Sequence, residues 1–284
     1  MKGKVVFILG CTPRSSTTAT MKALSAHTQL HAPSMADLLL PKAPKIVRSG
    51  FEWIAPIVQP YFDSRWNPAI HATGFNKREA FDIAVMRKFQ GEGVMGHTYY
   101  GLLNGKTTPT FNTQHLDFLE QIVKRAQSEN PKQIPLLKYF GGIFHLGELK
   151  DRFPDAKFIF LQRNPEKAFT SYVTLLGNAL KNEKLPETYW AGVYQMVVSA
   201  YALAQQVQSY TDILSLKSEE VSADMEKHVR LMLDYIGLPF EGQQALQEAL
   251  QQLKLKWQER SEKGMGYTYT DKIAKALFKA EDFQ

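Results

Sequence analysis

The run Val5-Val6-Phe7-Ile8-Leu9 constrains this chain most. It has no polar residue at every second position, so it does not suit a strand with one face in water, and it is too short for a buried helix. It suits a strand covered on both faces, which is the mark of a parallel sheet. Gly10 and Pro13 end the run, and a helix is predicted from about Thr17 to Ala26. The apolar runs Pro135–Tyr139, Lys157–Leu161 and Ile213–Leu216 read as further short strands. Helical patterns lie between and after them, at Phe144–Arg152, Glu166–Asn178, Glu187–Tyr210, Ala223–Ile236 and Gln243–Leu255. Strands alternating with helices predict an α/β fold, a central parallel sheet flanked by helices. Residues 30–130 are less regular and carry scattered prolines and the aromatics Trp53, Tyr61, Phe62, Trp66, Tyr99 and Tyr100. That stretch reads as an insertion shaping a pocket, although such aromatics suit ordinary packing equally well. The expectation is one domain over residues 1–284 with this insertion inside it.

Composition narrows the class without choosing a ligand. The 284 residues hold 34 Lys+Arg and 28 Asp+Glu, a formal charge of 34 − 28 = +6, with 44% hydrophobic and 22% charged residues. Disorder needs lower hydrophobicity and higher net charge, and a chain of this length buries a large core without staples. The single cysteine, Cys11, forms no internal disulfide. No run approaches the roughly 18 apolar residues of a membrane span. Lys2 and Lys4 precede the apolar run, and Ile8-Leu9-Gly10-Cys11 looks like a lipoprotein cleavage box. The run is nevertheless shorter than the roughly 7–15 residues of a signal peptide core. A buried first strand, a cytoplasmic location and no membrane partner are expected. The basic residues do not gather on one helix, which disfavours a nucleic-acid partner.

The loop Gly10-Cys11-Thr12-Pro13-Arg14-Ser15-Ser16-Thr17-Thr18 joins the first strand to the first helix. Unpaired N–H groups and the positive end of the helix dipole make such a place an anion site. Arg14 adds a planar cationic fork. Four successive hydroxyl residues add donors, although one of them could simply cap the helix. A nucleotide-triphosphate loop, G-x-x-x-x-G-K-[ST], would place Gly, Lys and Ser/Thr where Ser15, Ser16 and Thr17 stand. The missing lysine, and the lack of a matching acidic metal ligand, disfavour an ATPase or kinase. A second strand–turn–helix unit runs from Phe153 to Ser171. Its Arg163 stands at the carboxyl end of the strand, where open α/β sheets bind ligands.

Together these segments resemble the sulfotransferases that use 3′-phosphoadenylyl sulfate. Pro13-Arg14-Ser15-Ser16-Thr17-Thr18 is similar to that family's P-[RK]-S-G-T-T loop, which holds the 5′-phosphosulfate. Phe153-Pro154-Asp155-Ala156-Lys157-Phe158-Ile159, followed by Arg163-Asn164-Pro165 and Ser171, is similar to its 3′-phosphate motif, with Arg and Ser eight apart in both. Leu137-Lys138 lies where the family has a conserved lysine. Glu262-Lys263-Gly264-Met265-Gly266 resembles, more faintly, the R-K-G-x-x-G segment that closes over the nucleotide. The resemblance covers about residues 4–35, 135–180 and, faintly, 212–270. It implies sulfuryl transfer from 3′-phosphoadenylyl sulfate to a hydroxyl or amine, with 3′,5′-adenosine bisphosphate as product and no metal. It implies nucleotide binding by Arg14, Ser15, Ser16, Thr17, Thr18, Arg163, Ser171, Lys263 and Gly264. Arg14 and Lys138 are implied to stabilise charge on the leaving oxygen. The aromatic insertion, without the Lys/Arg run a long polyanionic sugar would need, points to a small-molecule acceptor and to natural-product tailoring in secondary metabolism. A glycan or lipid acceptor stays open, as does a non-catalytic nucleotide-binding protein on the same fold.

Departures from the family pattern carry their own expectations. Ser16 replaces the loop glycine, placing a Cβ and a hydroxyl where the backbone approaches the phosphate. Ala19 stands where many members have an aromatic near the adenine, and Ser218 replaces the tyrosine of the usual Tyr-Glu-Asp-Leu segment. Both usual positions of the general base are changed, to Met35 and Phe140. Asp37 and His97 are the alternatives, His97 having the right ordinary pKa. Glu52 and His115 are outsiders, and His27 is expected to pack or cap the first helix.

Overall fold

The computed structural model describes residues 4–11, 15–33, 113–179, 187–262 and 276–283. Five strands make one parallel sheet: β1 (Val6–Gly10), β2 (Leu30–His31), β3 (Ile134–Lys138), β4 (Lys157–Gln162) and β5 (Ile213–Lys217), in the order β2-β3-β1-β4-β5. Helix α1 (Thr17–Leu24) follows β1, and α2 (Thr113–Glu129) precedes β3. A 3-10 turn (Phe140–His145) and α3 (Leu146–Arg152) link β3 to β4. Helices α4 (Pro165–Ala179) and α5 (Glu187–Val207) link β4 to β5. After β5 come α6 (Ser218–Ala223), α7 (Met225–Ile236), α8 (Gln244–Glu262) and a final 3-10 turn (Ala280–Phe283). The α/β architecture expected from the alternating pattern is the one observed, as a single α/β domain.

The apolar run at the start of the chain forms the middle of the sheet. Val6 and Ile8 share a face with Ile159 and Leu161, and this face packs on Met21 and Leu24 of α1 and on Met232, Leu233, Leu246 and Leu250 of α7 and α8. Phe7 and Leu9 point the other way, beside Phe158 and Phe160, with Phe7 stacked on Phe158 at 5.4 Å and tilted against Phe153 at 5.5 Å. One face is therefore largely aliphatic and the other largely aromatic. A one-residue slip of β1 would exchange the two sets, so packing fixes the register that carries Gly10 to the sheet edge.

Several elements differ from the sequence expectation, each for a local reason. Leu30–His31 and Thr113–Glu129, both inside the stretch read as irregular, are a strand paired with β3 and a helix preceding it. Two residues are too few to leave a strand pattern. The helix expected over Ala223–Ile236 is α7 and starts two residues later, at Met225, because Asp224 leaves helical geometry and its carboxylate accepts the Lys227 N–H at 3.0 Å; Ala223 instead ends α6, a helix that was not expected. The helix expected from Phe144 begins as a 3-10 turn at Phe140 and becomes α-helical only at Leu146. The bulk of the proposed insertion, residues 34–112, lies outside the described residues.

Gly142 in the 3-10 turn shows how tightly this connection packs. A Cβ there would lie 2.9 Å from Leu9 Cδ2, 2.9 Å from Tyr139 Cδ1 and 3.1 Å from Leu149 Cδ1. Gly142→Ala is expected to destabilise the fold by about 1–3 kcal/mol, the usual cost of overpacking a filled core. Urea unfolding at unchanged slope measures this, and a midpoint equal to wild type would show that the turn yields freely.

Candidate active site

Strand register gathers the site. Ile8 pairs with Lys138, Gly10 with Leu161, and Gln162 with Lys217, so β3, β1, β4 and β5 end on one edge. Lys138, Cys11, Arg163 and Ser218 stand at or just beyond those ends. From β1 the chain fills β2 and β3 on one side, then crosses to β4 and β5 on the other. The crevice above such a reversal is where open parallel sheets take ligands. Cys11, Ser15 and Ser16, the described residues of the first loop, lie at this edge.

Cys11 prolongs the sheet, its N–H donating to the Leu161 carbonyl at 3.2 Å, and its Sγ accepts the Arg163 N–H at 3.4 Å. Ser15 is fully buried, with Oγ 3.5 Å from Cys11 Sγ. Ser16 follows with φ 60° and ψ 7°, and is the only non-glycine residue of positive φ among the described residues. Left-handed backbone costs a non-glycine residue about 1–2 kcal/mol. Serine thus stands in the family's glycine position and keeps a glycine-like conformation. Its hydroxyl turns to α6, 3.5 Å from Ser222 Oγ.

That orientation settles the capping alternative for Ser16. It occupies the N-cap of α1, yet its side chain makes no cap hydrogen bond. The first helical bond runs from Thr20 N to Ser16 O at 3.1 Å. The N–H groups of Thr17, Thr18 and Ala19 therefore lie at the open turn, with the positive end of the helix dipole behind them. Thr18 Oγ1 accepts from Lys138 Nζ at 2.8 Å, which places a buried ammonium at this same turn. Backbone donors and a fixed cation thus converge from α1 and β3.

A second cation stands beyond β4. Asn164 caps α4, its Oδ1 accepting the Lys167 N–H at 3.1 Å, and its own N–H donates to Glu219 Oε1 at 3.0 Å. The Arg163 guanidinium between these anchors is half-buried. Burial pulls its pKa below the usual arginine value, while the nearby Glu219 carboxylate opposes the shift. Arginine stays protonated in proteins, so this is a cation held in a partly dry setting. Ser171 is half-buried on α4, the helix that Pro165 opens beside Arg163.

The sulfotransferase family model matches residues 6–242, which include both loops. The chain belongs to the sulfotransferase family. Two solved bacterial structures share its fold. Sulfotransferase STF1 from Mycobacterium tuberculosis H37Rv has a TM-score of 0.65 at 14% identity, over 96% of this chain and 76% of that one. Sulfotransferase STF9 from Mycobacterium avium has a TM-score of 0.65 at 16% identity, over 88% and 67%. No curated protein matches the chain.

In this sulfotransferase the expected residues Ser15, Ser16, Thr17, Thr18, Lys138, Arg163 and Ser171 lie on elements that end or begin at the one sheet edge. Arg14, Asp37, His97, Lys263 and Gly264 lie outside the described residues, as do Met35 and Glu52. Phe140 opens the 3-10 turn and His115 lies in the first turn of α2, but their side chains are outside that set. His27 is structural, as expected. It is buried, its Nδ1 accepts the Gln29 N–H at 3.1 Å, and its Nε2 lies 2.8 Å from the Pro239 carbonyl. Sequence reasoning missed the part α6 plays. Glu219 and Ser222 were not singled out, and Ser218 was noted only as a replaced tyrosine. A helix starting directly at a strand's carboxyl end was the available signal. Among the described residues no group of three His, Cys, Asp or Glu could hold a metal ion, and no helix is long and apolar enough to cross a membrane.

Proposed function

We propose that the chain transfers a sulfuryl group from 3′-phosphoadenylyl sulfate to a hydroxyl or amine of a small molecule, releasing 3′,5′-adenosine bisphosphate. One observation carries this reading. Lys138 at the open turn of α1 and the half-buried Arg163 are two cations at one edge of one sheet, an arrangement that suits a nucleotide with phosphates on both ends of its ribose. The donor supplies the activated S–O bond, which breaks toward the 5′-phosphate as the acceptor atom bonds to sulfur. The chain's own groups fix and neutralise charge. N–H groups of the Ser15–Ser16 turn and the start of α1, with the hydroxyls of Thr17 and Thr18, hold the 5′-phosphosulfate. Lys138, with Arg14, offsets the charge that builds on the leaving oxygen. Arg163 and Ser171 hold the 3′-phosphate, and Lys263-Gly264 close over the nucleotide. A base must take the acceptor proton, a role we give to His97 or Asp37 since the usual positions hold Met35 and Phe140. The aromatic content of residues 30–130 favours a small acceptor, and the proposed setting is cytoplasmic secondary metabolism.

Calorimetry with 3′,5′-adenosine bisphosphate, followed by transfer from labelled donor across an acceptor panel, tests this. Binding with sulfated product is expected. Absence of binding sinks the donor assignment. Binding with no product on any acceptor would instead favour a non-catalytic nucleotide-binding protein, while product only on sugars or lipids would move the acceptor class.

A further inference from the structure

We propose that Ser218 is a positioning residue that locks the Ser15–Ser16 peptide with its carbonyl turned away from the anion seat at α1, a role whose ligand readout rests on the donor reading above. The Ser218 hydroxyl donates to the Ser15 carbonyl at 2.8 Å, and both residues are buried. In a trans peptide the C=O and the following N–H point in opposite directions. Holding the Ser15 oxygen on α6 therefore aims the Ser16 N–H away from α6.

The lock opposes a preference of the loop itself. Turning this one peptide through half a revolution would carry Ser16 from its φ of 60° to about −120° while its ψ stays at 7°, which leaves the left-handed region for the negative-φ bridge region open to L-residues. A glycine would be indifferent to that change, but a serine favours it. The turned peptide would reverse the directions of the Ser15 carbonyl and the Ser16 N–H, leaving the loop with an altered donor set. Ser218 thus compensates for serine standing in a glycine position. The two departures from the family pattern, at 16 and 218, form one device.

Helix α6 is itself braced for this task. It starts where β5 ends, paired through Lys217 with Gln162, and buries Val221. Glu219 Oε1 holds the Asn164 N–H at 3.0 Å, and Ser222 Oγ lies 3.5 Å from Ser16 Oγ. Three side chains of α6 therefore reach the loops after β1 and β4.

The test measures 3′,5′-adenosine bisphosphate affinity and urea stability for wild type, Ser218→Ala, Ser16→Gly and the double variant. Ser218→Ala is expected to weaken binding about tenfold, in the range one buried hydrogen bond controls. Adding Ser16→Gly to Ser218→Ala should tighten binding at least about threefold, because the competent fraction of the loop recovers. Ser16→Gly should raise the urea midpoint of wild type, and raise it less in the Ser218→Ala background, where the strain is already released. Wild-type affinity in Ser218→Ala, or a double variant as weak as Ser218→Ala, overturns the proposal. If wild type fails to bind the nucleotide, the donor reading falls, and the urea cycle alone decides this one: equal gains from Ser16→Gly in both backgrounds refute the lock.

Discussion

Lys138→Ala should slow sulfuryl transfer by about 10²–10³-fold, the usual cost of removing one preorganised donor from a developing oxyanion. Three features make the lysine more than a surface charge. It ends β3 directly beside Ile8 of β1, so sheet register rather than a loop sets its place. It is buried, only 7% exposed, where a charge interacts more strongly than in water. Its Nζ is held on Thr18 Oγ1 at 2.8 Å, in the first turn of α1, where the backbone donors converge. A group fixed in this way contributes most where charge appears during reaction. The rate under saturating donor should therefore fall much further than affinity for 3′,5′-adenosine bisphosphate. Rapid-quench single turnovers with labelled donor, set beside calorimetry of the product nucleotide, separate the two. Equal losses in rate and affinity would make Lys138 a ground-state binding group. Lys138→Arg keeps the charge but brings a longer planar fork to a slot shaped by Thr18, and should recover only part of the rate.

The parts of this molecule legible in the sequence were those where one physical requirement dominates. Burial of β1, β3 and β4 on both faces leaves continuous apolar runs, so those strands and their end residues Lys138 and Arg163 could be placed before any coordinates. Glycine, proline and clustered hydroxyls after Leu9 marked the loop for the same reason. What the sequence hid depended on partners far along the chain. Nothing near residue 218 announces that its hydroxyl reaches Ser15, a separation of 203 residues. Nor does Ser16 announce a left-handed backbone, which serine adopts against its own preference. Strand β2 was missed because two residues carry no period. Helix α8 runs on to Glu262, past the last residue of its apolar pattern, through a polar stretch that leaves no amphipathic stripe.

Arg163→Ala should weaken 3′,5′-adenosine bisphosphate by about 10–150-fold, the equivalent of roughly 1.5–3 kcal/mol for hydrogen bonds to a charged group. The bonds that shape this turn come from main chain, Arg163 N to Cys11 Sγ at 3.4 Å and Asn164 N to Glu219 Oε1 at 3.0 Å, and both survive the loss of the side chain. What is lost is the side chain and its positive charge beside Glu219. If it reads the 3′-phosphate, adenosine 5′-monophosphate should lose little affinity while the bisphosphate loses most of its advantage. Equal losses on both nucleotides would instead place Arg163 in the support of the loop. Glu219→Gln provides the opposite sign, because a glutamine oxygen can still accept the Asn164 N–H while the competing negative charge disappears. That variant should bind the bisphosphate as tightly as wild type or better. Although burial lowers the Arg163 pKa, the guanidinium stays charged through the neutral and mildly alkaline range. The cost of Arg163→Ala should therefore be the same at about pH 7 and about pH 9, since arginine does not titrate between them. A cost that faded with rising pH would point to a weaker base, such as a lysine, as the group that holds the 3′-phosphate.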